Sequence, residues 1–164
     1  MSNKSKKQKS IICALMIGRS GSVTLPGKNI LSILGKKLFE YPLIAASKSK
    51  YVERIFVSTD CPIISKISKN YNASVIKRPT ELATHKALGE DAFQHGYFEI
   101  KKILKSENKK IELMVLLFAN APTITDKLIN EGVEILKKNS SLDSAVTTSI
   151  YNMWSPLRAR KIDE

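Results

Sequence analysis

Between residues 18 and 29 the chain reads GRSGSVTLPGKN, a loop dense in glycine, hydrogen-bonding side chains and fixed positive charge. Gly18, Gly21 and Gly27 permit turns and close approach of the main chain to a ligand, so that N–H groups can point at an anion. Arg19 offers a planar fork of donors and Lys28 a mobile point charge. Ser22 adds a hydroxyl, and Pro26 stiffens the chain just before the lysine. This is the chemistry of phosphate binding. Two familiar phosphate loops do not fit it. A P-loop needs four residues between Gly and Gly-Lys and then Ser or Thr, whereas Gly21 and Gly27 enclose five and Asn29 follows Lys28. The dinucleotide fingerprint is absent as well, because Gly18 and Gly21 are the only pair near its spacing.

Stepping outward from the loop, Ile11 to Ile17 is a short branched apolar run bounded by Gly18, which predicts a central strand buried on both faces. After Gly35, Pro42 suits the first turn of a helix running to about Ser49. RIFVSTD predicts a strand ending at Asp60. Ile63, Ile64, Ile67 and Tyr71 then recur at helical spacing after Pro62. ASVIK is a third strand. The helix beyond it carries Phe93, Tyr97, Ile100 and Leu104 on one face, with Glu90 and Asp91 in its first turn. ELMVLLFAN is a continuous apolar strand of the doubly covered kind. Thr123 with Asp126 reads as a capping box for a helix with Leu128, Ile129, Val133 and Leu136 inward. DSAVTTSI would close the series as a strand. Strands alternating with helices, without an internal repeat, give an α/β fold with an open, mostly parallel sheet sandwiched by helices. Ligands in such sheets bind at the carboxyl ends of strands, which gathers Arg19 to Asn29, Asp60, Arg78 to Ala87 and Asn120 around one crevice.

Composition bounds the function. At 164 residues and 43% apolar content the chain has enough material for one domain with a core. No apolar run approaches the ~18 residues of a membrane span. The basic start KSKKQKS reads as a solvated tail over residues 1–10 and not as a signal peptide, since the apolar run after it leads into a charged loop. Net charge is +12, of which four come from Lys4, Lys6, Lys7 and Lys9. A basic surface suits nucleic acid, but equally a nucleoside triphosphate and an acidic sugar. Aromatics are only 7% and fall mostly on inward helical faces, which argues against nucleic acid. Cys13 and Cys61 are not closely spaced and fit a reduced, cytoplasmic protein, and His85 and His95 lack metal-ligand spacing. Asp60 reads either as the N-cap of the following helix or as a group at the nucleotide site.

The loop resembles the N-terminal signature of the acylneuraminate cytidylyltransferases, roughly R-x-G-S-K-G-x-P-x-K-N. Arg19, Gly21, Ser22, Pro26, Lys28 and Asn29 match it in register, and Val23 and Thr24 replace its Lys and Gly. A second family segment, R-P-x-E-L-A-x-D, is matched by Arg78, Pro79, Glu81, Leu82 and Ala83, with His85 at the acidic position. A third, L-Q-P-T-S-P-L-R, keeps only Pro122; Phe118 replaces the glutamine and Ile124 the arginine, which implies a divergent subgroup. The resemblance covers about residues 11 to 150. It implies a Rossmann-like nucleotide-diphospho-sugar transferase fold over that span, followed at 151–164 by the start of a C-terminal dimerisation segment in which Trp154 is either interface or core edge.

The implied reaction joins CMP from CTP to an acidic sugar of the sialic or nonulosonate type and releases pyrophosphate. On the resemblance, Arg19 and Lys28 are the catalytic cations. Gly18, Ser22, Asn29, Arg78 and the backbone near Ala87 bind the nucleotide, and Asn120 is the candidate sugar contact. Mg2+ would bridge the phosphates, its ligands lying outside this chain, because the family's aspartate pair has no counterpart before the final KIDE. No side chain stands out as a general base. The resemblance further implies a homodimer for a complete chain and no membrane partner. Two other readings stay open: a truncated relative that binds nucleotide without turnover, and a basic α/β module that binds nucleic acid.

Overall fold

A computed structural model of the chain describes residues 8–21 and 25–148. The run predicted as a central strand forms β1, Lys9–Ile17, with Ile11 through Met16 all buried. It begins inside the span expected to be tail. Lys9 is drawn into the strand by its partner Lys109 and by an ion pair to Glu53 at 2.6 Å. After the loop come a short hairpin, β2 (Ser32–Ile33) and β3 (Lys36–Lys37), then α1 (Glu40–Lys48), β4 (Arg54–Thr59) and α2 (Pro62–Ser68). β5 (Ser74–Lys77), α3 (Gly89–Ser106), β6 (Lys109–Phe118) and α4 (Asp126–Lys138) complete the described chain.

The four main strands lie in the order β5-β4-β1-β6, and every pairing is parallel. Side chains alternate across the sheet with period two. One face sends Ala14, Met16 and Val57 against Phe39 and Leu43 of the α1 region, Ile64 of α2 and Ile129 of α4. The other sends Ile11, Leu15, Phe56 and Ile76 against Ile100 and Leu104 of α3. Burial of each such large side chain contributes about 1.5–3 kcal/mol, so these two layers hold the sandwich together. α3 sits hard on β1: a β-carbon at Gly96 would meet Leu15 Cδ2 at 2.7 Å.

Several sequence expectations are corrected. Asp60 does not cap α2. The cap position is Cys61, whose N–H is held by Thr59 Oγ1 at 3.0 Å, while the Asp60 carboxylate is engaged elsewhere. α4 is capped by Thr125, whose hydroxyl accepts from Leu128 N–H at 3.3 Å, and not by a Thr123–Asp126 box. Leu128 and Tyr97, expected inward, are largely exposed, each at the margin of its helix's apolar stripe. β6 is not covered on both faces. It is one of the sheet's two edge strands among the described residues, and Leu116 and Phe118 are half-exposed on the side where α3 alone must cover the sheet.

Residues 143–148 form no strand; Ser149 and Ile150 of that expected strand, and Trp154 with the expected C-terminal segment, lie outside the described residues. α1 and α4 share one face of the sheet.

Candidate functional site

The carboxyl ends of β1 and β6 lie side by side, with Ile17 opposite Phe118, and the chain leaves both toward one cleft of about 260 Å³. Two strands can part there only if the residues leaving them are small. A β-carbon at Gly18 would lie 2.8 Å from Ala119 Cβ and 3.2 Å from Ile64 Cδ1, so glycine is required for the close approach.

Of the residues singled out in the sequence, Gly18, Arg19, Lys28, Asn29, Arg78, Ala87 and Asn120 all line this cleft. Ser22 lies outside the described residues. Asp60 and His85 do not line it.

Each polar group has a definite hold on the protein. Arg19 donates from Nη1 to the Thr84 carbonyl, which ties the glycine loop to the segment before α3. Asn29 Nδ2 donates to the Arg19 carbonyl at 3.0 Å, so this side chain shapes the loop. Gly27, in the left-handed region at φ 67°, starts the single helical turn Lys28–Ile30 and brings Lys28 to the cleft. Arg78 is only 5% exposed. Its Nη2 donates to the Ser58 carbonyl at 2.6 Å and its Nε to Ser58 Oγ at 3.2 Å. Burial lowers the Arg78 pKa from its ordinary value; the Asp60 carboxylate opposes that shift and the Arg19 charge adds to it. The shift leaves an arginine charged at neutral pH. The Ala87 N–H closes a turn on the Thr84 carbonyl at 3.3 Å.

Among the described residues none of the three cleft cations, Arg19, Lys28 and Arg78, forms an ion pair with a carboxylate. The two arginines are held by neutral oxygens instead. No Asp or Glu lines the cleft. The apolar part of the lining is built by Leu82, Leu88, Gly89, Ala92 and Phe118. Sequence reasoning reached Phe118 only as a departure from a motif. It missed Leu88 and Ala92, whose sole signal was their position at the start of a helix leading away from the third strand.

Ser20 was also missed. Its N–H donates to Asp60 Oδ1 at 3.0 Å and its hydroxyl to Asp60 Oδ2. Nothing in the spacing of these two residues announces that contact.

A family model described as cytidylyltransferase matches residues 13–160. The N-acylneuraminate cytidylyltransferase of Escherichia coli is 38% identical over 153 residues, which are 93% of this chain and 34% of that protein. The CMP-N,N'-diacetyllegionaminic acid synthase of Legionella pneumophila is 31% identical over 147 residues, 87% of this chain and 61% of that protein. A Helicobacter pylori protein, named as a pseudaminic acid cytidylyltransferase and a UDP-2,4-diacetamido-2,4,6-trideoxy-beta-L-altropyranose hydrolase, is 28% identical over 92% of this chain and 28% of its own length. The chain thus spans between 28% and 61% of the length of these relatives. Among solved structures, CMP:2-keto-3-deoxy-manno-octonic acid synthetase complexed with CTP superposes with a TM-score of 0.58 at 20% identity, over 82% of this chain and 49% of that one. A cytidylyltransferase from Leptospira borgpetersenii gives 0.53 at 25% identity, over 80% of this chain and 50% of that one. The mostly parallel sheet with flanking helices is the Rossmann-like fold of these transferases.

Proposed function

The chain belongs to the cytidylyltransferase family, and from that premise we propose that it transfers CMP from CTP to an acidic sugar of the sialic or nonulosonate type. The anomeric hydroxyl oxygen attacks the α-phosphorus, the bond from that phosphorus to the β-phosphate bridging oxygen breaks, and pyrophosphate and the hydroxyl proton leave.

The observation that carries this reading is the charge of the cleft. Three cations face it without a carboxylate partner among the described residues, so a polyphosphate can be taken up without breaking an ion pair. Positive groups aimed at developing phosphate charge lower the barrier most when they are already in place. In this reading Arg19 and Lys28 neutralise the phosphates and Gly18 lets the main chain approach them. Arg78 and the backbone near Ala87 hold the cytidine end, Asn29 acts through the loop it supports, and Asn120 contacts the sugar from the exposed end of β6. The small apolar wall of Leu88, Gly89 and Ala92 suits a flat base.

Magnesium is a different matter. It is held in such sites by one or two carboxylates together with substrate phosphates. Among the described residues no three His, Cys, Asp or Glu side chains gather, and no acid lines the cleft. The described residues do not make a magnesium site.

A second reading is a nucleotide-binding relative without turnover, favoured by the absence of any acid from the cleft among the described residues. Pyrophosphate release with CTP, Mg2+ and a panel of acidic sugars, run beside a CTP thermal shift, separates the two. Release supports transfer, a shift without release supports binding alone, and neither signal removes both. Steep salt dependence with competition by polynucleotide would instead favour a nucleic-acid module. The homodimer and the extent of the nucleotide-binding unit over residues 11–150 rest on the resemblance, and the cytoplasmic location on the cysteine usage; for the membrane, no described helix is long and apolar enough to cross one.

A further inference from the structure

The peptide group between Arg19 and Ser20 is held at both of its polar ends. Its carbonyl, that of Arg19, accepts from Asn29 Nδ2 at 3.0 Å, and its N–H, that of Ser20, donates to Asp60 Oδ1 at 3.0 Å. The Ser20 hydroxyl donates to the second oxygen of the same carboxylate, so Asp60 grips Ser20 at two points. A peptide plane tied on both edges cannot rotate, and the directions of the residues on either side are set with it.

Those neighbours are the ones that matter for an anion. Arg19 and Gly21 line the main cleft, whereas Ser20 does not; it faces a smaller recess beside Ile30 and Cys61. The anchor itself is rigid. Asp60 follows the last residue of β4 and precedes Cys61, the N-cap residue of α2, and its carboxylate makes no cap hydrogen bond to that helix. Helix capping therefore does not explain why an acid stands here, in a region where every cleft-lining charge is positive.

We propose that Asp60 is a positioning residue for triphosphate binding: it locks the Arg19–Ser20 peptide, opposite Asn29, so that Arg19 and Gly21 meet the phosphates in a fixed orientation. The proposal rests on the CTP reading of the cleft. Preorganised donors bind and stabilise phosphate charge without reorganising, and a loop that swings loses that advantage.

The test is isothermal titration of the full chain with CTP and, separately, with cytidine, which shares the base and sugar but carries no phosphate. Asp60→Ala should weaken CTP binding by about tenfold or more, the scale of losing hydrogen bonds to a charged acceptor, and leave cytidine within about twofold. Asp60→Asn should restore most of the affinity. Its amide oxygen still accepts the Ser20 N–H and its amide nitrogen can donate to the Ser20 hydroxyl, so the geometry survives while the charge is lost. Should Asp60→Ala fail to fold, Ser20→Ala removes one of the two hydrogen bonds and should give a smaller loss confined to CTP. Equal losses for CTP and cytidine, or an Asp60→Asn variant as impaired as Asp60→Ala, would overturn positioning in favour of general stability or of charge. Unchanged CTP affinity in Asp60→Ala would overturn it outright. If the parent chain binds no CTP, the reading of the cleft itself falls, an outcome distinct from the others.

Discussion

Replacing Gly18 by alanine probes the floor of the cleft directly. The new β-carbon would sit 2.8 Å from Ala119 Cβ and 3.2 Å from Ile64 Cδ1. The isoleucine terminus can turn aside, but a β-carbon on Ala119 moves only with its backbone. That backbone is pinned: Ala119 N–H donates to the Ile17 carbonyl at 3.1 Å and Gly18 N–H to the Ser58 carbonyl at 3.2 Å. Since carbon pairs settle at about 3.5–4.0 Å, the ends of β1 and β6 must part by a large fraction of an ångström. Overpacking of this kind costs about 1–3 kcal/mol, out of a typical domain stability of about 5–15 kcal/mol. Urea unfolding should show a lowered midpoint with an unchanged slope. Ala119→Gly removes the atom that is struck, so the double variant should be more stable than the sum of the two single effects by at least about 0.5 kcal/mol. CTP affinity should fall in Gly18→Ala and recover in part in the double variant, because the displaced strand end carries Arg19. A Gly18→Ala protein within about 0.5 kcal/mol of the parent, or strict additivity in the cycle, would refute the close approach on which this cleft geometry depends.

Three further outcomes are expected. Arg78→Met removes a desolvated charge, which favours the fold, and takes one donor each from the Ser58 carbonyl, which keeps the Gly18 N–H, and the Ser58 hydroxyl, which disfavours it by about 1 kcal/mol per hydrogen bond. Unfolding free energy should therefore change little while CTP affinity, by titration calorimetry, drops at least about tenfold; unchanged affinity would count against Arg78 as a ligand group. Lys28→Ala should weaken CTP binding and reduce its dependence on salt, measured as affinity across a sodium chloride series, and an unaltered salt slope would exclude Lys28 from the phosphates. Burial pushes the Cys13 thiol from 9.0 up to about 11. A raised folded pKa means that the folded chain holds the proton longer, so this stabilisation is complete below pH 9 and is lost as the pH climbs through about 11, a change of about 1–3 kcal/mol. The difference in unfolding free energy between parent and Cys13→Ala should shrink across that window, and a constant difference would show that folding does not raise the thiol's pKa.

The fold was legible in the sequence wherever one element's pattern determined its own surroundings. β1 reads as central because Ile11 to Met16 are apolar on both faces, and both faces are indeed covered. The same logic misled at β6. Its run of apolar residues states what the strand could bury, while what covers it depends on how many helices reach that edge, and only α3 does so on one side. The hairpin of β2 and β3 escaped notice because its turn is Leu34-Gly35, with Leu34 at φ 49°, where the usual signal is Asn or Asp before Gly. At α4, threonines two apart both suit a cap, and only the extended backbone at Thr125 decides between them.

At the site, residue type was legible and allegiance was not. Arg19, Lys28, Asn29 and Arg78 were all picked out as ligand groups, and all reach one cleft, because strand ends in a parallel sheet converge there. Their hydrogen bonds could not be read in advance. Asn29 holds the Arg19 carbonyl, Arg78 holds Ser58, and Asp60 serves neither as a helix cap nor as a cleft group but as the anchor of Ser20. A contact across forty positions leaves no periodicity for sequence reasoning to find. The consequence is chemical. Had the arginines been paired with acids, as exposed arginines often are, an incoming phosphate would compete with carboxylates and gain little. Because neutral carbonyls and a hydroxyl orient them, their direction is set without an ion pair among the described residues. One carboxylate nearby, that of Asp60, is turned to the main chain, where it orders the loop without filling the cleft. Substituting a glutamate for a residue of the apolar wall, such as Ala92, would therefore be expected to harm CTP binding more than the loss of any single hydrogen bond, since it alone would supply the competing anion that this arrangement leaves out.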